Sequence, residues 1–249
     1  MRLLVDIGNT RLKWALLEDD IPGPQHALVY RSDKLAEQLT DEWSGLVSPH
    51  AVHIASVGQR KVTKALVDWL EKQWACPVEE LQAGLRCGGV INGYKRPESL
   101  GVDRWAAMVA AYYLVNSAVC VVDCGTALTC DVIDSRGRHL GGVIAPGLEM
   151  MRHSLFERTA GIDFNAPSQN DARWGTDTTS CVLAGSIQAS IGLIERVVQQ
   201  LQQELKEPVV TVLTGGDAES LLPRLSLNKR YEPNLVLQGV ACMLAEHVD

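Results

Sequence analysis

Val5-Asp6-Ile7-Gly8-Asn9-Thr10 and Val122-Asp123-Cys124-Gly125-Thr126-Ala127 are two versions of one pattern. Each is an Asp-x-Gly turn that follows an apolar run (Leu3-Leu4-Val5 and Val119-Cys120-Val121-Val122) and leads into a second strand-like run. Asp123 lies 117 residues after Asp6, close to half of the 249-residue chain. Such a turn between two strands presents backbone N–H groups and a carboxylate to a phosphate–metal complex. A single copy reads first as an ordinary hairpin turn, because Asp, Gly and Asn are common turn residues. Two copies at half-chain spacing favour two related lobes, each bringing a turn to a nucleotide.

The flanking segments fit that plan. Leu3–Val5 and Leu12–Leu17 predict a hairpin around the first turn, and Gln25–Tyr30 a further strand. Asp33–Trp43 and Lys61–Trp74 have helical spacing, and Ala51–Val57 and Pro77–Leu81 read as strands. Residues 84–101 form a Gly/Pro-rich connection of the kind that is often functional. An Ala-rich helix over Val102–Leu114 closes the first lobe, residues 1–115. In residues 116–249, strands are expected at Val119–Asp123, Leu128–Ile133, His139–Ile144 and Val209–Thr214. Helices are expected after Pro146-Gly147, over Thr178–Leu205 and over Leu235–Val248, with a polar irregular stretch at Gly161–Gly175. Strands followed by helices, given twice, make an α/β protein of two similar lobes.

Composition narrows the function classes. Hydrophobic residues make up 46% and charged residues 21%, ordinary for a soluble domain. A net charge of −7 leaves no electrostatic footprint for nucleic acid or an anionic membrane. An acidic chain that handles anions therefore needs local Lys, Arg, metal or helix N-termini. The seven cysteines form no C-x-x-C pair, and Cys120, Cys124 and Cys130 sit in apolar stretches. They fit buried thiols in a reducing cytosol better than a metal site or disulfides. The N-terminal apolar run stops at Asp6, against a signal peptide, and no run reaches the length of a membrane span. The expected location is cytoplasmic. The six histidines have no metal-ligand spacing, the six tryptophans are scattered, and no P-loop or G-x-S-x-G element is present.

The first turn continues to Lys13. Gly8 permits close backbone approach, Asn9 and Thr10 add donors, and Lys13 can point back to a phosphate. Asp6 would act through Mg²⁺ or its bound water, since a carboxylate repels phosphate. The second turn adds Thr126, Thr129 and Asp131, and even spacing puts Thr129 and Asp131 on one strand face. Their buried polar face needs partners, which a cation–phosphate site would supply. Gly101-Val102-Asp103-Arg104 precedes the Ala-rich helix. Asp103 reads as a helix cap, and also as a carboxylate held ionised by the helix dipole to accept a hydroxyl proton. Arg104 reads as a solvated first-turn residue or as a bidentate clamp on a substrate carboxylate. Gly141–Leu148 (GGVIAPGL) and Thr214-Gly215-Gly216-Asp217 are strand-to-helix turns, each weak alone.

Taken in order, D-x-G-N-T-x-x-K (Asp6–Lys13), G-x-D-R (Gly101–Arg104), D-x-G-T-A-x-T-x-D (Asp123–Asp131), G-G-x-I-x-P-G-L (Gly141–Leu148) and T-G-G-D (Thr214–Asp217) resemble type III pantothenate kinases, also called Bvg accessory factor homologues. The resemblance implies the ribonuclease H-like fold of the acetate kinase, sugar kinase, chaperone ATPase and actin superfamily. It implies transfer of the ATP γ-phosphate to the primary hydroxyl of pantothenate, the first step toward coenzyme A. By match, Asp103 is the proton acceptor and Arg104 a pantothenate ligand, in one substrate segment with Gly101 and Val102. Tyr94 matches a substrate-contacting tyrosine. Thr178 matches a substrate-contacting threonine, with Thr176 and Thr179 as neighbours open to the same match. Asp6, Ile7, Gly8, Asn9, Thr10, Arg11, Leu12, Lys13 and Thr126 match ATP-binding positions. Asp123 matches the site of an activating monovalent cation, K⁺ or NH₄⁺. The family is homodimeric, with the substrate pocket near the subunit interface.

Two rivals stand beside this reading. One is another small-molecule kinase or ATPase of the same superfamily, since the phosphate turns do not name the acceptor. The other is a nucleotide-binding transcriptional accessory protein, which would have no need of Asp103 and Arg104 beside a substrate loop.

Overall fold

The computed structural model describes residues 1–158 and 173–246. In chain order the elements are β1 (Arg2–Ile7), β2 (Arg11–Glu18), β3 (Ile21–Pro22), β4 (His26–Val29), α1 (Leu35–Trp43), β5 (Val52–Ser56), α2 (Arg60–Gln73), β6 (Val78–Glu80), β7 (Arg86–Cys87), β8 (Val90–Ile91), α3 (Val102–Val115), β9 (Val119–Cys124), β10 (Ala127–Ile133), β11 (His139–Pro146), α4 (Leu148–Arg158), α5 (Thr178–Leu205), β12 (Val210–Thr214), α6 (Ala218–Leu221), β13 (Lys229–Tyr231) and α7 (Leu235–Glu246). Most of the Gly161–Gly175 stretch lies outside the described residues.

Two sheets carry the duplication expected from the repeated turn. The first has the order β3-β2-β1-β5-β6, with β4 also on β2; the second has the order β11-β10-β9-β12-β13. β1 pairs antiparallel with β2 and parallel with β5, and β9 pairs antiparallel with β10 and parallel with β12. Each Asp-Gly turn thus joins a central strand to its antiparallel neighbour, and each central strand has a parallel partner on its other side. The two-lobe α/β expectation is borne out.

The lobe boundary needs one correction. The chain divides into a unit of Met1–Asn116 with the C-terminal helix, and a second unit of Ser117–Pro233. α7 packs on α3 and on β1, β2 and β3, because its apolar residues Leu235, Leu237, Val240 and Leu244 have their core there. The crossing with α3 needs Gly239: a Cβ there would lie 1.9 Å from the Ala106 carbonyl oxygen. The Ala-rich sequence of α3 serves the same close approach. Val102 and every residue from Trp105 to Tyr112 are buried, as expected of a helix covered on all sides.

In the first unit, Leu3, Val5, Ile7, Leu12 and Trp14 turn one sheet face toward α1 and α2. The tryptophans that look scattered in sequence converge there. Trp14, Trp43, Trp69 and Trp74 stack or meet edge-on, with ring centroids 5.1–5.7 Å apart. Strand alternation puts Leu4 and Asp6 on the opposite face. In the second unit, β9 and β10 contribute Cys120, Val122, Cys124, Leu128 and Cys130 to a core with α4, α5 and α6. The three strand cysteines are accordingly buried, as expected.

Two expectations about long or short elements change. α5 is long and apolar enough to cross a membrane, contrary to the reading that no run is. Its apolar stripe (Ile187, Ile191, Ile194, Val198, Leu201) is instead buried on the sheet of its own unit. It starts with a capping box, in which Asp177 accepts the Ser180 N–H at 2.9 Å and Ser180 Oγ accepts the Asp177 N–H at 3.1 Å. Edge strand β13 was not expected, because its exposed Lys229-Arg230 breaks any apolar alternation.

Candidate active site

The first unit assembles one group of the singled-out residues around the end of β1. Asp6 and Lys13 are directly paired across β1 and β2, so their side chains lie on one face. Asp6 is buried, whereas Asn9, Thr10 and Arg11 are exposed at the turn. The turn closes through the Gly8 N–H to the Arg11 carbonyl, 3.0 Å. The Tyr30 hydroxyl secures it further, sharing its proton between the carbonyls of Gly8 (2.8 Å) and Asn9 (3.0 Å). Ile7 and Leu12 are core side chains with no exposure, so only their backbone is available to a ligand.

The end of β5 then docks on the turn. The N–H groups of Val57 and Gly58 both donate to the Ile7 carbonyl at 3.1 Å. A Cβ at Gly58 would come within 3.0 Å of Ile7 Cγ2 and 3.1 Å of the Gly8 carbonyl oxygen. A Cβ at Gly101 would lie 3.4 Å from Val57 Cγ1 and 2.7 Å from Asp103 Oδ1. The start of α3 therefore sits against the end of β5, which itself docks on the turn. Asp6, Lys13 and Asp103, far apart in sequence, become members of one region.

Asp103 is not the N-cap. Gly101 takes that position, without a side-chain cap, and Asp103 lies in the first turn. Its Oδ1 accepts the Arg104 N–H at 2.7 Å, so it still satisfies one of the helix's unpaired donors. The helix dipole favours the anionic carboxylate there. Arg104 Nη1 donates to the Tyr94 hydroxyl oxygen at 2.9 Å, with the guanidinium carbon 5.7 Å from the ring centroid.

Tyr94 is held by a residue the sequence reading passed over. Asn92, 5% exposed, donates through Nδ2 to the carbonyls of Gly84 (3.0 Å) and Pro97 (3.2 Å), and its Oδ1 accepts the Tyr94 N–H at 3.0 Å. One buried amide thus ties both ends of the 84–100 connection. The available signal was an Asn before Gly93 inside a loop. Tyr30 carried no signal, and Gly58 only that of a glycine after an apolar strand.

The second unit builds its own turn. Asp123 and Thr129 are directly paired, and the Gly125 N–H donates to the Ala127 carbonyl at 3.1 Å. Gly147, between β11 and α4, donates to the Thr126 carbonyl at 3.0 Å. Asp217, after β12, donates to the Cys124 carbonyl at 2.9 Å. Neither glycine neighbour tolerates a side chain. A Cβ at Gly147 would meet the Gly125 carbonyl oxygen at 2.1 Å. A Cβ at Gly215, whose φ is +93°, would meet Asp123 Oδ1 and the Cys124 backbone at 2.5 Å. The motifs at 141–148 and 214–217, weak singly, converge on the second Asp-Gly turn, and Thr126 is exposed at its tip.

One expectation is revised. Asp131 does not wait for a cation: it is buried and bonded to His139 Nε2 at 3.1 Å, so the polar strand face finds its partner in a histidine. Thr178 lies at the first turn of α5, where it lines a cavity of about 520 Å³ with Met151, Ser154, Leu155, Cys181, Val182, Gly185 and Ser186. Among the described residues no cluster of three His, Cys, Asp or Glu side chains forms a protein-only metal centre.

The profile of the family described as type III pantothenate kinase matches residues 2–200. The chain belongs to that family. A type III pantothenate kinase of Nitrosococcus oceani is 37% identical over 97% of this chain and 92% of its own length. Among solved structures, a conserved putative Baf family transcriptional activator from Campylobacter jejuni aligns with a TM-score of 0.64, covering 99% of this chain and 98% of its own at 21% identity. A ROK family glucokinase from Streptomyces griseus, solved with glucose and AMPPNP, aligns with a TM-score of 0.55, covering 99% of both chains at 13% identity. At these identities the two structures speak for the fold alone, which is that of the sugar kinases.

Gly215→Ala is expected to cost at least about 1–3 kcal/mol, from the positive φ together with the backbone overlap. Gly192→Ala, in α5 with nothing within 4 Å of the new Cβ, should be neutral or stabilising by up to about 1 kcal/mol. Urea unfolding of both variants checks the contrast.

Proposed function

We propose that this chain phosphorylates the primary hydroxyl of pantothenate with ATP, giving 4′-phosphopantothenate at the entry to coenzyme A biosynthesis. The observation that carries the reading lies in the first unit. A helix-N-terminal carboxylate, Asp103, stands with an Arg104–Tyr94 pair at the start of α3, which packs against Val57 at the end of β5, the strand docked on the phosphate-type turn.

Phosphoryl transfer needs alignment and charge neutralisation more than covalent help. In the first unit, Asp6 through Lys13 take the nucleotide phosphates: backbone N–H groups and the Thr10 hydroxyl donate, and the Lys13 ammonium balances charge. Asp6 would hold Mg²⁺ through water. In the second unit, Thr126 would take the nucleotide and Asp123 would hold the monovalent cation, K⁺ or NH₄⁺. The Asp123 carboxylate and the nearby backbone carbonyls are hard oxygen donors that suit such ions. When bound, the cations supply neutralisation of phosphate charge. Asp103 orients the pantothenate hydroxyl and accepts its proton as the new P–O bond forms. Arg104 pairs with the pantothenate carboxylate, and Tyr94, Gly101, Val102 and the Thr178 hydroxyl complete the substrate contacts. We place the enzyme in the cytoplasm as a homodimer with no nucleic-acid or membrane partner.

An ATP-consumption assay over a panel of small hydroxy acids and sugars, with and without K⁺ or NH₄⁺, tests the reading. Turnover with pantothenate that depends on the cation is expected. Turnover with another acceptor alone would give the site to a sibling kinase, and nucleotide binding without turnover would favour an accessory protein. Asp103→Asn is expected to fold and to lose at least ~10²-fold in kcat, a typical general-base contribution. Near-normal turnover in that variant would remove the base from Asp103. Arg104→Ala should mainly raise the pantothenate KM by about 10-fold or more, the loss of a charge-assisted pair. Steady-state kinetics in pantothenate and ATP separately would show it.

A further inference from the structure

The helix that closes the chain reaches the substrate loop. β7 and β8 form a hairpin whose two-residue turn, Gly88 (φ +56°) and Gly89 (φ +79°), has both residues in the left-handed region. A Cβ at Gly88 would meet Val109 Cγ1 at 2.7 Å, and one at Gly89 would meet Tyr112 Cε1 at 3.2 Å. The hairpin tip therefore lies flat on α3. From α7, Glu246 Oε1 accepts the Gly88 N–H at 2.7 Å. Burial first, and then the neighbouring Glu246 carboxylate, push the Cys87 thiol up to about 12. Glu246 lies in the last described turn of α7. Its hydrogen bond to the hairpin ties α7 to the Gly88 turn.

The hairpin leads directly into the clamp. The Asn92 N–H donates to the Leu85 carbonyl at 2.9 Å, and Asn92 then holds Gly84, Pro97 and Tyr94. Tyr94 meets Arg104. An unbroken series of contacts runs from Glu246 through the hairpin, Asn92 and Tyr94 to Arg104, all within the first unit.

We propose that Glu246 is a positioning residue: by anchoring the 86–91 hairpin to α7 and α3, it sets the Tyr94–Arg104 pair that receives pantothenate. This rests on the function proposed above. Glu246→Ala should raise the pantothenate KM about fivefold, the worth of a charge-assisted hydrogen bond transmitted in part. The ATP KM and kcat should stay within about twofold, because Asp6–Lys13 and Asp103 are held by other contacts. Glu246→Gln, whose amide oxygen still accepts the Gly88 N–H, should recover most of the affinity.

A second measurement is independent of activity. Alkylation of Cys87 by iodoacetamide, followed by peptide mass spectrometry on the folded protein, should be several-fold faster in Glu246→Ala than in wild type, since the thiol loses its anionic neighbour. Glu246→Gln should also alkylate faster, because it removes the charge but keeps the turn anchored. If Cys87 reacts at the wild-type rate in both variants, the anchor does not exist and the proposal falls. If Cys87 reacts faster but the pantothenate KM is unchanged, the anchor does not position the clamp and the proposal is likewise overturned. A parallel rise of both KM values with a fall in kcat, unrelieved by Gln, would reduce Glu246 to a structural contact. Failure of the underlying function shows separately, as wild-type enzyme that does not turn over pantothenate at all.

Discussion

Close backbone approach around the two Asp-Gly turns is the constraint from which the site follows. A phosphate-type turn works by exposing its own backbone, so neighbouring segments must pack against it without covering it. At the first turn, Gly58 lets the end of β5 donate twice to the Ile7 carbonyl, and Gly101 brings the start of α3 against Val57. At the second, Gly147 and Gly215 do the same for β11 and β12, with clearances that exclude any Cβ. Glycine costs backbone entropy, and it is tolerated here because rigid strands hold each turn from both sides.

The same packing organises charge in an acidic chain. A net charge of −7 offers no general attraction for anionic substrates, so positive character has to be local. In the first unit it comes from Lys13, Arg104 and the N-terminal end of α3. Asp103 stands beside them in the first turn of α3, its Oδ1 accepting the Arg104 N–H. Arg104 is in turn aimed by Tyr94, and Tyr94 by the buried amide of Asn92. The Arg104–Tyr94 pair is thus a nested set of hydrogen bonds built on a loop, whereas the first Asp-Gly turn is built on strands.

Much of this was legible from residues. The repeated Asp-x-Gly turn gave the duplicated lobes, because identical local chemistry at half-chain spacing needs a common structural cause. The period of Val62, Leu66 and Leu70, and the helical pattern over Thr178–Leu205, gave helices whose bounds the structure nearly repeats. Less was legible where the partner is distant in sequence. Asp131 has the same strand chemistry whether it meets a cation or His139, and only the fold says that it meets His139. Four tryptophans that look scattered share one core, and Asn92, Tyr30 and Gly239 owe their roles to segments that local patterning does not connect.

By itself the sequence determined the α/β class, the doubled turn, and the residue types that handle phosphate, hydroxyl and carboxylate, since those depend on local periodicity and side-chain chemistry. Tertiary structure decided which unit owns the last helix, which groups share a region, and which polar residues are already partnered. The physical reason is that hydrogen bonding and close packing act over a few ångströms in space regardless of separation along the chain. Gly239 against Ala106, Val57 against Gly101, and Glu246 against Gly88 are contacts that no window of sequence contains.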